Sequence, residues 1–475
     1  MEKNGSESAP EISGRMIRVA AGPLLFAVVL LIPFPGLPMK GRIVLATAAL
    51  MACWWMTEAL PIAATSLIPL AAFPLLGVLG AGEAAAHYGD QRIFLFVGGF
   101  FMARAMERHN LHRRIALAIM IALGTAPRRL ILGFMLATAL LSMWISNTAA
   151  AMIMVPIAMA VIASTKKTGS AFATALFLGI AYAASIGGVG TLVGTPPNIV
   201  LAGQVSTIFE NAPPVSFAKW MVVGGSMAAL FLPLAWFYLT FVAFKLGDAE
   251  GGSPEGGLLP PDLRKMGKMS RAEAVVLVVF AAMVLGWIFR EDINLGFAVV
   301  PGWSGLLGIE PWVEDSTVAI LGALVLFIFP HKGGGRILEW RQAVGIPWGI
   351  VLLLGGGFSL AAAFGSSGLS AWIGGLFGGL GGVPPILLVF IIAAVMTTLT
   401  EFTSNTAVTT LMMPILAGAA VTLGTDPRLF MIPAAMAASC AFMLPVATPP
   451  NAIVFGSGEL RIKDMARAGL VLNIL

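Results

Sequence analysis

Long apolar segments recur from one end of the chain to the other, and short polar stretches separate them. Segments such as Val275–Ile288 are apolar on every side, which predicts helices surrounded by lipid or by other helices. A transmembrane β-strand would instead alternate apolar and polar residues over about ten positions. The pattern therefore predicts an all-α polytopic membrane protein and excludes a β-barrel.

Composition supports the same class. Of the 475 residues, 58% are hydrophobic and 11% are charged, whereas ordinary soluble domains have about 25% charged residues. A soluble chain of this length cannot bury so much apolar surface. This excludes a soluble enzyme, a disordered chain and a nucleic-acid binder, so the lipid bilayer is the expected surrounding and no nucleic acid is an expected partner. Cys53 and Cys440 lie in apolar segments and indicate inert thiols.

Basic clusters predict the orientation, because Lys and Arg near membrane helices concentrate on the cytoplasmic side. The clusters placed there are Arg104–Arg114, Arg128 with Arg129, Lys166 with Lys167, Lys245–Arg271 and His331–Arg341. Loops poor in Lys and Arg are placed outside, namely Gly80–Asp90, Ser206–Ala218 and Glu291–Asp315. The polar head has no signal-peptide pattern. We expect a multi-pass protein of the inner (plasma) membrane with a cytoplasmic N-terminus.

Two pairs of apolar segments are too short to be predicted as crossings. They are Leu130–Ile145 with Ala149–Ser164, and Pro384–Leu399 with Ala407–Ala420. Most have about 16 residues, below the ~20 that a spanning helix needs. We predict two re-entrant helical hairpins, 128–167 entering from the cytoplasm and 384–420 entering from outside, whose tips lie inside the membrane.

Three short motifs occur twice, in the same order and at nearly the same spacing. The pairs are Gly98-Gly99-x-Phe101 with Gly355-Gly356-x-Phe358, Ser146-Asn147-Thr148 with Ser404-Asn405-Thr406, and Thr195-Pro196-Pro197-Asn198 with Thr448-Pro449-Pro450-Asn451. The predicted topology gives the two copies opposite orientations. Inverted repeats with broken helices near the membrane midplane are typical of secondary transporters.

The two Thr-Pro-Pro-Asn motifs predict a break in helices 171–205 and 430–456. Two prolines remove two amide donors and force the preceding residue out of helical geometry. The break frees carbonyls that can bind a cation, and the next half-helix offers its N-terminus to an anion. Four glycines before the first motif allow close approach of the backbone, namely Gly187, Gly188, Gly190 and Gly194.

The Ser-Asn-Thr tips supply neutral oxygens and amide donors. These groups suit Na⁺ on one side and a carboxylate or sulfate oxygen on the other. The alternative is that Ser-Asn-Thr only caps the second arm of each hairpin. Two tips, each paired with a Thr-Pro-Pro-Asn motif, favour a binding site.

At these motifs the sequence resembles the divalent anion/Na⁺ symporter family, the carriers of dicarboxylates, citrate and sulfate. The resemblance covers nearly the whole chain and includes the segment SCAFMLPVATPPN at 439–451. It implies an elevator-type transporter, a homodimer in which a fixed scaffold domain holds a mobile transport domain. It also implies about eleven spanning helices in addition to the two hairpins.

The resemblance divides the chain into segments. We expect a cytoplasmic tail at 1–15, N-terminal scaffold helices at 16–91 with a crossing at 62–79, and half of the transport domain at 92–205. Further scaffold helices follow at 206–344 with a cytoplasmic linker at 245–272. The second half of the transport domain is expected at 345–456, and the start of the last helix at 457–475.

The resemblance also implies the site residues. One Na⁺ site would use Ser142, Ser146, Asn147 and the carbonyl of Gly194, and the other would use Thr400, Thr403, Asn405 and the carbonyl of Ala447. The substrate would lie between them, held by Asn147, Thr148, Thr195, Ser404, Asn405, Thr406 and Pro449. Ser142 and Thr400 each lie one helical turn before a tip serine, so both hydroxyls can face their tips.

No Arg or Lys lies near either tip, so helix N-termini, amides and bound Na⁺ must balance the anion's charge. We therefore predict Na⁺-coupled symport of a small divalent anion, with C4-dicarboxylates such as succinate, malate and fumarate as the first choice. The alternatives are citrate or sulfate as substrate, and a Na⁺-independent dicarboxylate exchanger. An intramembrane enzyme would need an aspartyl pair, an HExxH helix or a Ser-His or Ser-Lys couple, and a channel would need a continuous lined pore.

Two acidic residues lie in or beside apolar segments. Glu401, three residues before Ser404, is expected to be protonated or bonded to nearby backbone, with direct ligation as the alternative. Glu58 follows Trp54 and Trp55 at a predicted membrane edge. We interpret it as the polar end of an interfacial aromatic belt.

Overall fold

Helices dominate the part of the chain that the structure describes. A computed structural model describes residues 9–124, 126–165, 168–209, 214–247, 267–294, 298–331 and 334–475. The helices before the first hairpin are Ala9–Leu31, Met39–Thr57, Ile62–Thr65, Ile68–Leu75, Ala81–Ala86, Gln91–Arg108 and Leu111–Leu123, with a 3-10 turn at His87–Gly89.

The central part of the chain adds three long apolar helices and a small ribbon. The helix Phe217–Ala243 contains two π-helical turns, at Met221–Gly225 and Tyr238–Ala243. The other elements up to the second glycine pair are Arg271–Ile288, Trp303–Leu306, Asp315–Ile328, Trp340–Ala343 and Trp348–Ser366. Ile293–Asn294 pairs antiparallel with Val299–Val300, the one strand pair in the described residues.

The two predicted hairpins are present. The first hairpin consists of Pro127–Ser142 and Asn147–Thr165, and the second of Pro385–Phe402 and Asn405–Thr422. The serine of each tip caps the second arm, since Ser146 Oγ accepts from the Ala149 amide at 3.2 Å and Ser404 Oγ from the Ala407 amide at 3.5 Å. Three of the four arms have 18 or 19 residues and are long and apolar enough to cross a membrane, so the prediction that the arms are too short to span is wrong for these three.

Both predicted helix breaks are also present. The first broken helix is Ala171–Val189 followed by Pro196–Ile208, and the second is Arg428–Ala438 followed by Pro449–Phe455. Thr195 and Thr448 are extended, with φ of −144° and −140°, because a residue before proline is excluded from helical geometry. Each proline pair then starts the next half-helix, where a missing amide does least harm.

The two halves of the chain pack into each other. Each broken helix lies against the first arm of its own hairpin. Pro449–Phe455 also packs against the first hairpin, and Pro196–Ile208 against the second. Ala171–Val189 is buried along its whole length. This exchange of half-helices brings both tips and both breaks to one place.

The remaining helices are shorter or surround this centre. They are Leu369–Leu376, a 3-10 turn at Gly378–Leu380, and Ile462–Ile474. Among the described residues, seven helices are long and apolar enough to cross a membrane, judged by length and composition. The predicted last helix at 457–475 corresponds to Ile462–Ile474.

Two sequence-based boundaries need correction. The first helix begins at Ala9, so the predicted tail 1–15 is partly helical, and residues 1–8 lie outside the described part. The crossing 62–79 is interrupted, because Pro69 has no amide hydrogen and Ser66 Oγ bonds back to Ile62 O at 2.7 Å. Most of the linker 245–272, and the Lys166–Lys167 pair, lie outside the described residues.

One end of the bundle carries the basic residues of two distant segments. Arg108 Nη1 donates to the carbonyls of Arg336 and Ile337 at 3.0 and 3.1 Å. A side-chain carbon at Gly345 would lie 3.0 Å from Arg104 Nη2, and one at Gly349 would lie 3.6 Å from the Ala63 Cβ. The end of Gln91–Arg108 and the starts of Trp348–Ser366 and Ile62–Thr65 therefore lie together, and we call this the basic end.

Candidate functional site

A cavity of about 470 Å³ lies where the tips and the breaks meet. All seven predicted substrate residues line it, namely Asn147, Thr148, Thr195, Ser404, Asn405, Thr406 and Pro449. Of the predicted Na⁺ residues, Ser146, Gly194, Thr403 and Ala447 line it as well. The volume suits a small organic anion, since ligand pockets begin at roughly 300 Å³.

Ser142 lies directly behind the first tip and is fully buried. Its Oγ is 2.5 Å from Asn147 Oδ1 and 2.6 Å from the carbonyl oxygen of Ala184. Ala184 belongs to the first broken helix, so this contact joins three elements at one point. The result is a cluster of three oxygens against the wall of the cavity, which we call the first oxygen cluster.

The second tip repeats this arrangement. Thr400 is fully buried, and its Oγ1 lies 2.5 Å from Asn405 Oδ1 and 2.7 Å from the carbonyl oxygen of Ala438. Ala438 ends the first half of the second broken helix. These three atoms form the second oxygen cluster, and the two halves of the chain thus build the same local geometry.

Each oxygen cluster is short of one proton. A hydroxyl has a single hydrogen, so it can donate either to the asparagine oxygen or to the backbone carbonyl, but not to both. The hydroxyl oxygen then lies at hydrogen-bonding distance from a second oxygen without a hydrogen atom between the two. A cation that prefers oxygen ligands relieves this repulsion, and carbonyl, amide and hydroxyl oxygens are suitable ligands for a hard ion such as Na⁺.

Four further predicted Na⁺ residues lie beside the oxygen clusters, and two of them, Gly194 and Ala447, occupy corresponding places in the two halves. Gly194 and Ala447 each directly precede a Thr-Pro-Pro sequence, where the helix has unwound. Ser146 is the cap of the first tip. The Thr403 hydroxyl donates to Leu399 O at 2.7 Å, so its proton is already used within the hairpin. Thr403 can therefore offer an ion its oxygen lone pairs or its carbonyl, but no free donor.

The asparagine side chain of each Thr-Pro-Pro-Asn motif bonds to the unwound segment of its own broken helix and does not line the cavity. Asn198 is buried, and its Nδ2 donates to the carbonyls of Gly188 and Thr191 at 3.0 and 2.7 Å. Asn451 Nδ2 donates to the carbonyls of Ala441 and Leu444 at 3.1 and 2.9 Å. These bonds satisfy carbonyls that the unwound segment leaves without helical partners.

Gly188 makes room for the first tip, as the sequence predicted. A side-chain carbon there would lie 2.5 Å from Asn147 Oδ1, which is closer than van der Waals contact allows. A carbon at Gly194 would lie 2.4 Å from the Gly188 carbonyl oxygen. Both glycines are therefore needed for close approach of the backbone around the first oxygen cluster.

The cavity wall carries no positive side chain among the described residues that form it. Positive potential there comes from helix starts: the second arm of each hairpin and the second half of each broken helix begin at the cavity. Their first amides have no partners within the helix and carry a partial positive charge. Such a site can hold a small anion without Arg or Lys.

Glu401 is a structural anchor, in line with the first of its two predicted roles. Its carboxylate is buried and accepts from the amides of Phe442, Met443 and Leu444 at 2.8, 2.9 and 3.1 Å, and from Asn473 Nδ2 at 2.7 Å. These amides belong to the unwound segment of the second broken helix. The carboxylate thus fastens that segment to the second hairpin.

Sequence reasoning missed several residues of the site. The carbonyls of Ala184 and Ala438 were not predicted, because any residue type supplies a carbonyl and only the fold places it. Glu58 lines the cavity instead of ending an aromatic belt. Trp55 is 1% exposed and its Nε1 bonds to Ile62 O at 3.3 Å, so the belt prediction is wrong there.

Comparison with known proteins places the chain among membrane transporters. The sodium-dependent dicarboxylate transporter SdcS of Staphylococcus saprophyticus is 45% identical, with 99% of this chain and 91% of the relative covered. SdcS of Staphylococcus aureus is also 45% identical, with 98% and 90% covered. The Alcanivorax borkumensis YdaH transporter has a similar fold, with a TM-score of 0.55 over 98% of this chain and 94% of that one, at 13% identity.

A family match covers almost the entire sequence. The family described as the sodium:sulfate symporter transmembrane region matches residues 14–475, which include both hairpins, both broken helices and every residue of the two oxygen clusters. This agrees with the resemblance found in the motifs. The chain belongs to the sodium:sulfate symporter family.

Proposed function

We propose that this protein is a secondary active transporter that carries a C4-dicarboxylate together with Na⁺. The observation that carries the proposal is the pair of matched oxygen clusters on either side of one cavity without positive side chains. An anion in such a cavity needs cations beside it, and the two clusters are where the cations fit. Membership of a symporter family supports a carrier over an enzyme or a channel.

Each Na⁺ would be held by one half of the chain. Ser142, Asn147 and the Ala184 carbonyl, with Ser146 and the Gly194 carbonyl, form the first site. The second site consists of Thr400, Asn405 and the Ala438 carbonyl, with Thr403 and the Ala447 carbonyl. Bound Na⁺ would order each tip and so complete the anion site, which couples the two ligands.

The anion would lie between the tips. The side chains of Thr148, Thr195 and Thr406 and the amides at the helix starts would receive its carboxylates. Two opposed helix-start clusters match a molecule with a charge at each end, which favours a C4-dicarboxylate over sulfate. The relatives that are named dicarboxylate transporters support the same choice.

Uptake into proteoliposomes tests the proposal. We expect radiolabelled succinate to accumulate against its gradient when Na⁺ is high outside, and little uptake when choline replaces Na⁺. Excess malate or fumarate should compete more strongly than citrate or sulfate. Equal uptake without Na⁺, with stimulation by internal succinate, would instead identify the Na⁺-independent exchanger.

Lowering the pH should reduce succinate uptake. Carboxyl groups titrate at about pH 4 to 5, so we expect uptake to fall as the pH drops through about 5.5 and succinate becomes a monoanion. The affinity calculated per dianion should stay roughly constant over this range. Initial rates at fixed Na⁺ and varied succinate measure this. A rise of uptake under an inward proton gradient without Na⁺ would contradict the Na⁺ sites.

The repeat architecture leads to further parts of the proposal. We propose that the two halves are inverted repeats, and that the hairpins and broken helices move as a transport domain against a scaffold in an elevator mechanism. The protein would act as a homodimer in the plasma membrane with a cytoplasmic N-terminus. The exchange of half-helices between the two halves supports a transport domain that moves as one body.

Cysteine labelling tests the inverted topology. Thr168 and Gly382 are exposed and flank the first and second hairpins. In a background without Cys53 and Cys440, we expect Thr168→Cys to react with a membrane-impermeant maleimide only from the cytoplasmic face, and Gly382→Cys only from outside. The basic flanks of the first hairpin are the physical reason. Reaction of both from the same face would disprove the inversion.

A further inference from the structure

An acidic side chain shares the cavity with the candidate anion site. Glu58 directly follows the helix Met39–Thr57 as its C-terminal cap, and it lines the same cavity as both tips. It is the only ionisable residue among the described residues of the cavity wall. The side chain is exposed, and no hydrogen-bond donor or cation of the described part pairs with its carboxylate. Arg18 lies near it, since its Nη1 donates to the carbonyl of Thr57 at 3.5 Å.

The backbone holds Glu58 in an unusual conformation. Its φ of 48° and ψ of 35° lie in the left-handed region, which glycine and asparagine adopt far more readily than glutamate. The neighbouring Ala59 and Trp55 are buried, and Pro61 precedes the next helix, so the turn is fixed on both sides. A left-handed residue commonly ends a helix, but it is usually glycine, so glutamate at this position beside the cavity is the unusual feature.

Glu58 lies towards the basic end of the cavity. Ile62–Thr65, which follows directly, contacts the start of Trp348–Ser366, and that start lies beside Arg104 at the basic end. Glu58 repels anions at the cavity itself, whereas Arg104 and Arg108 of the basic end lie outside the cavity wall and pair with Glu107 and Glu339. Since Coulomb repulsion is proportional to charge, Glu58 acts more strongly on a trianion than on a dianion.

The cavity is small enough for this repulsion to matter. A round cavity of about 470 Å³ would be roughly 10 Å across, a distance at which a single charge still changes binding about twofold in a partly solvated site at moderate ionic strength. Each additional negative charge on the ligand therefore lowers its affinity by about that factor.

We propose that Glu58 is a charge filter that selects dicarboxylates against anions of higher charge at the cavity. The proposal rests on the proposed function, because it needs an anion in this cavity. Glu58 does not bind the substrate; its unpaired charge sets which anions the site accepts. Glu58 belongs to neither tip and to neither oxygen cluster, so its effect is separable from theirs.

Competition binding with anions of different charge tests the filter. Purified protein in saturating Na⁺ at pH 8 is loaded with radiolabelled succinate, which is displaced by monomethyl succinate, succinate or tricarballylate, carrying one, two and three negative charges. Glu58→Gln and Glu58→Asn remove the charge, and asparagine also suits the left-handed backbone. Relative to wild type, the neutral variants should bind each competitor more tightly, by a factor that grows about twofold with each negative charge on the competitor. Tricarballylate should therefore show the largest increase in affinity.

Two control variants accompany this series. Glu58→Asp keeps the charge and should keep the wild-type order of affinities. Glu310→Gln changes the net charge equally at an exposed residue away from the cavity, and it should change none of the three affinities. Salt dependence supplies a second measurement, because raising the ionic strength with choline chloride should shrink the difference in affinity between Glu58→Gln and wild-type protein, most of all for tricarballylate.

The outcomes separate the filter from the proposed function. Equal gains or losses for all three anions in both neutral variants, or a difference between Glu58→Gln and wild type that salt does not reduce, would show that Glu58 only shapes the turn and would overturn the filter. Failure of wild-type protein to bind succinate in Na⁺ would instead overturn the proposed function. Gains that scale with charge support both.

Discussion

Replacing Asn147 or Asn405 by alanine should lower the affinities for Na⁺ and for succinate together, each by about tenfold to a hundredfold. Each asparagine oxygen belongs to an oxygen cluster, and each side chain also lines the cavity. A polar contact to a charged ligand contributes about 1.5 to 3 kcal/mol, and every 1.4 kcal/mol changes affinity tenfold. A single substitution therefore weakens the binding of both Na⁺ and succinate.

The coupling between the ligands should change as well. Linkage requires that Na⁺ strengthens succinate binding by the same factor as succinate strengthens Na⁺ binding. With one oxygen cluster lost, the Hill slope of succinate binding against Na⁺ should fall from near two to near one in this two-site scheme. Succinate binding measured across a series of Na⁺ concentrations gives both the affinity and the slope.

A control variant on the same hairpin distinguishes the site from general damage. Ser164 lies at the far end of the second arm, and within the described residues its hydroxyl bonds to Val161 O at 2.8 Å. Ser164→Ala should leave both affinities unchanged. Wild-type Na⁺ dependence in both the Asn147→Ala and the Asn405→Ala variant would remove these residues from the Na⁺ sites.

The tips and breaks were predictable because their physics is local. A proline pair interrupts a helix wherever it occurs, so Thr195 and Thr448 are extended as predicted. Ser146 and Ser404 cap the arms that follow them, a signal that a short sequence window contains. Repetition of both motifs then indicated that the two halves build one site.

The parts that sequence reasoning missed depend on packing between distant segments. The carbonyl of Ala438 joins the second oxygen cluster because Arg428–Ala438 lies against the second hairpin. Glu58 reaches the cavity because a turn after Met39–Thr57 is packed beside it, and no local pattern distinguishes this turn from a membrane-edge loop. The break after Thr65 likewise depends on a side-chain bond from Ser66 as well as on Pro69.

Glu401 shows where the two halves of the chain differ. At the corresponding place of the first half stands Met143, whose carbonyl accepts a hydrogen bond from the Thr191 hydroxyl at 2.5 Å. In the second half the buried carboxylate of Glu401 makes the corresponding link between the hairpin and the unwound segment. It accepts hydrogen bonds from three consecutive amides, Phe442 to Leu444. The second oxygen cluster and the Ala447 carbonyl lie on the two sides of this link. Its loss should therefore alter the second Na⁺ site more than the first.

Glu401→Ala should destabilise the protein and weaken Na⁺ binding, while Glu401→Gln should have a smaller effect on both. Alanine leaves three amides and the Asn473 side chain without an acceptor, and each buried donor left unsatisfied costs about 1 to 3 kcal/mol. Glutamine keeps one acceptor oxygen but turns an amide group towards the donors of the backbone. Thermal unfolding in detergent, with and without Na⁺, measures the loss of stability, and Na⁺-dependent succinate binding measures the loss at the site.

Glu107→Gln is the matched control, because the Glu107–Arg104 ion pair at 2.8 Å is partly exposed and should contribute less than about 1 kcal/mol. An unchanged Na⁺ affinity in folded Glu401→Gln protein, together with a lower unfolding temperature, would restrict Glu401 to stability and separate it from ion binding.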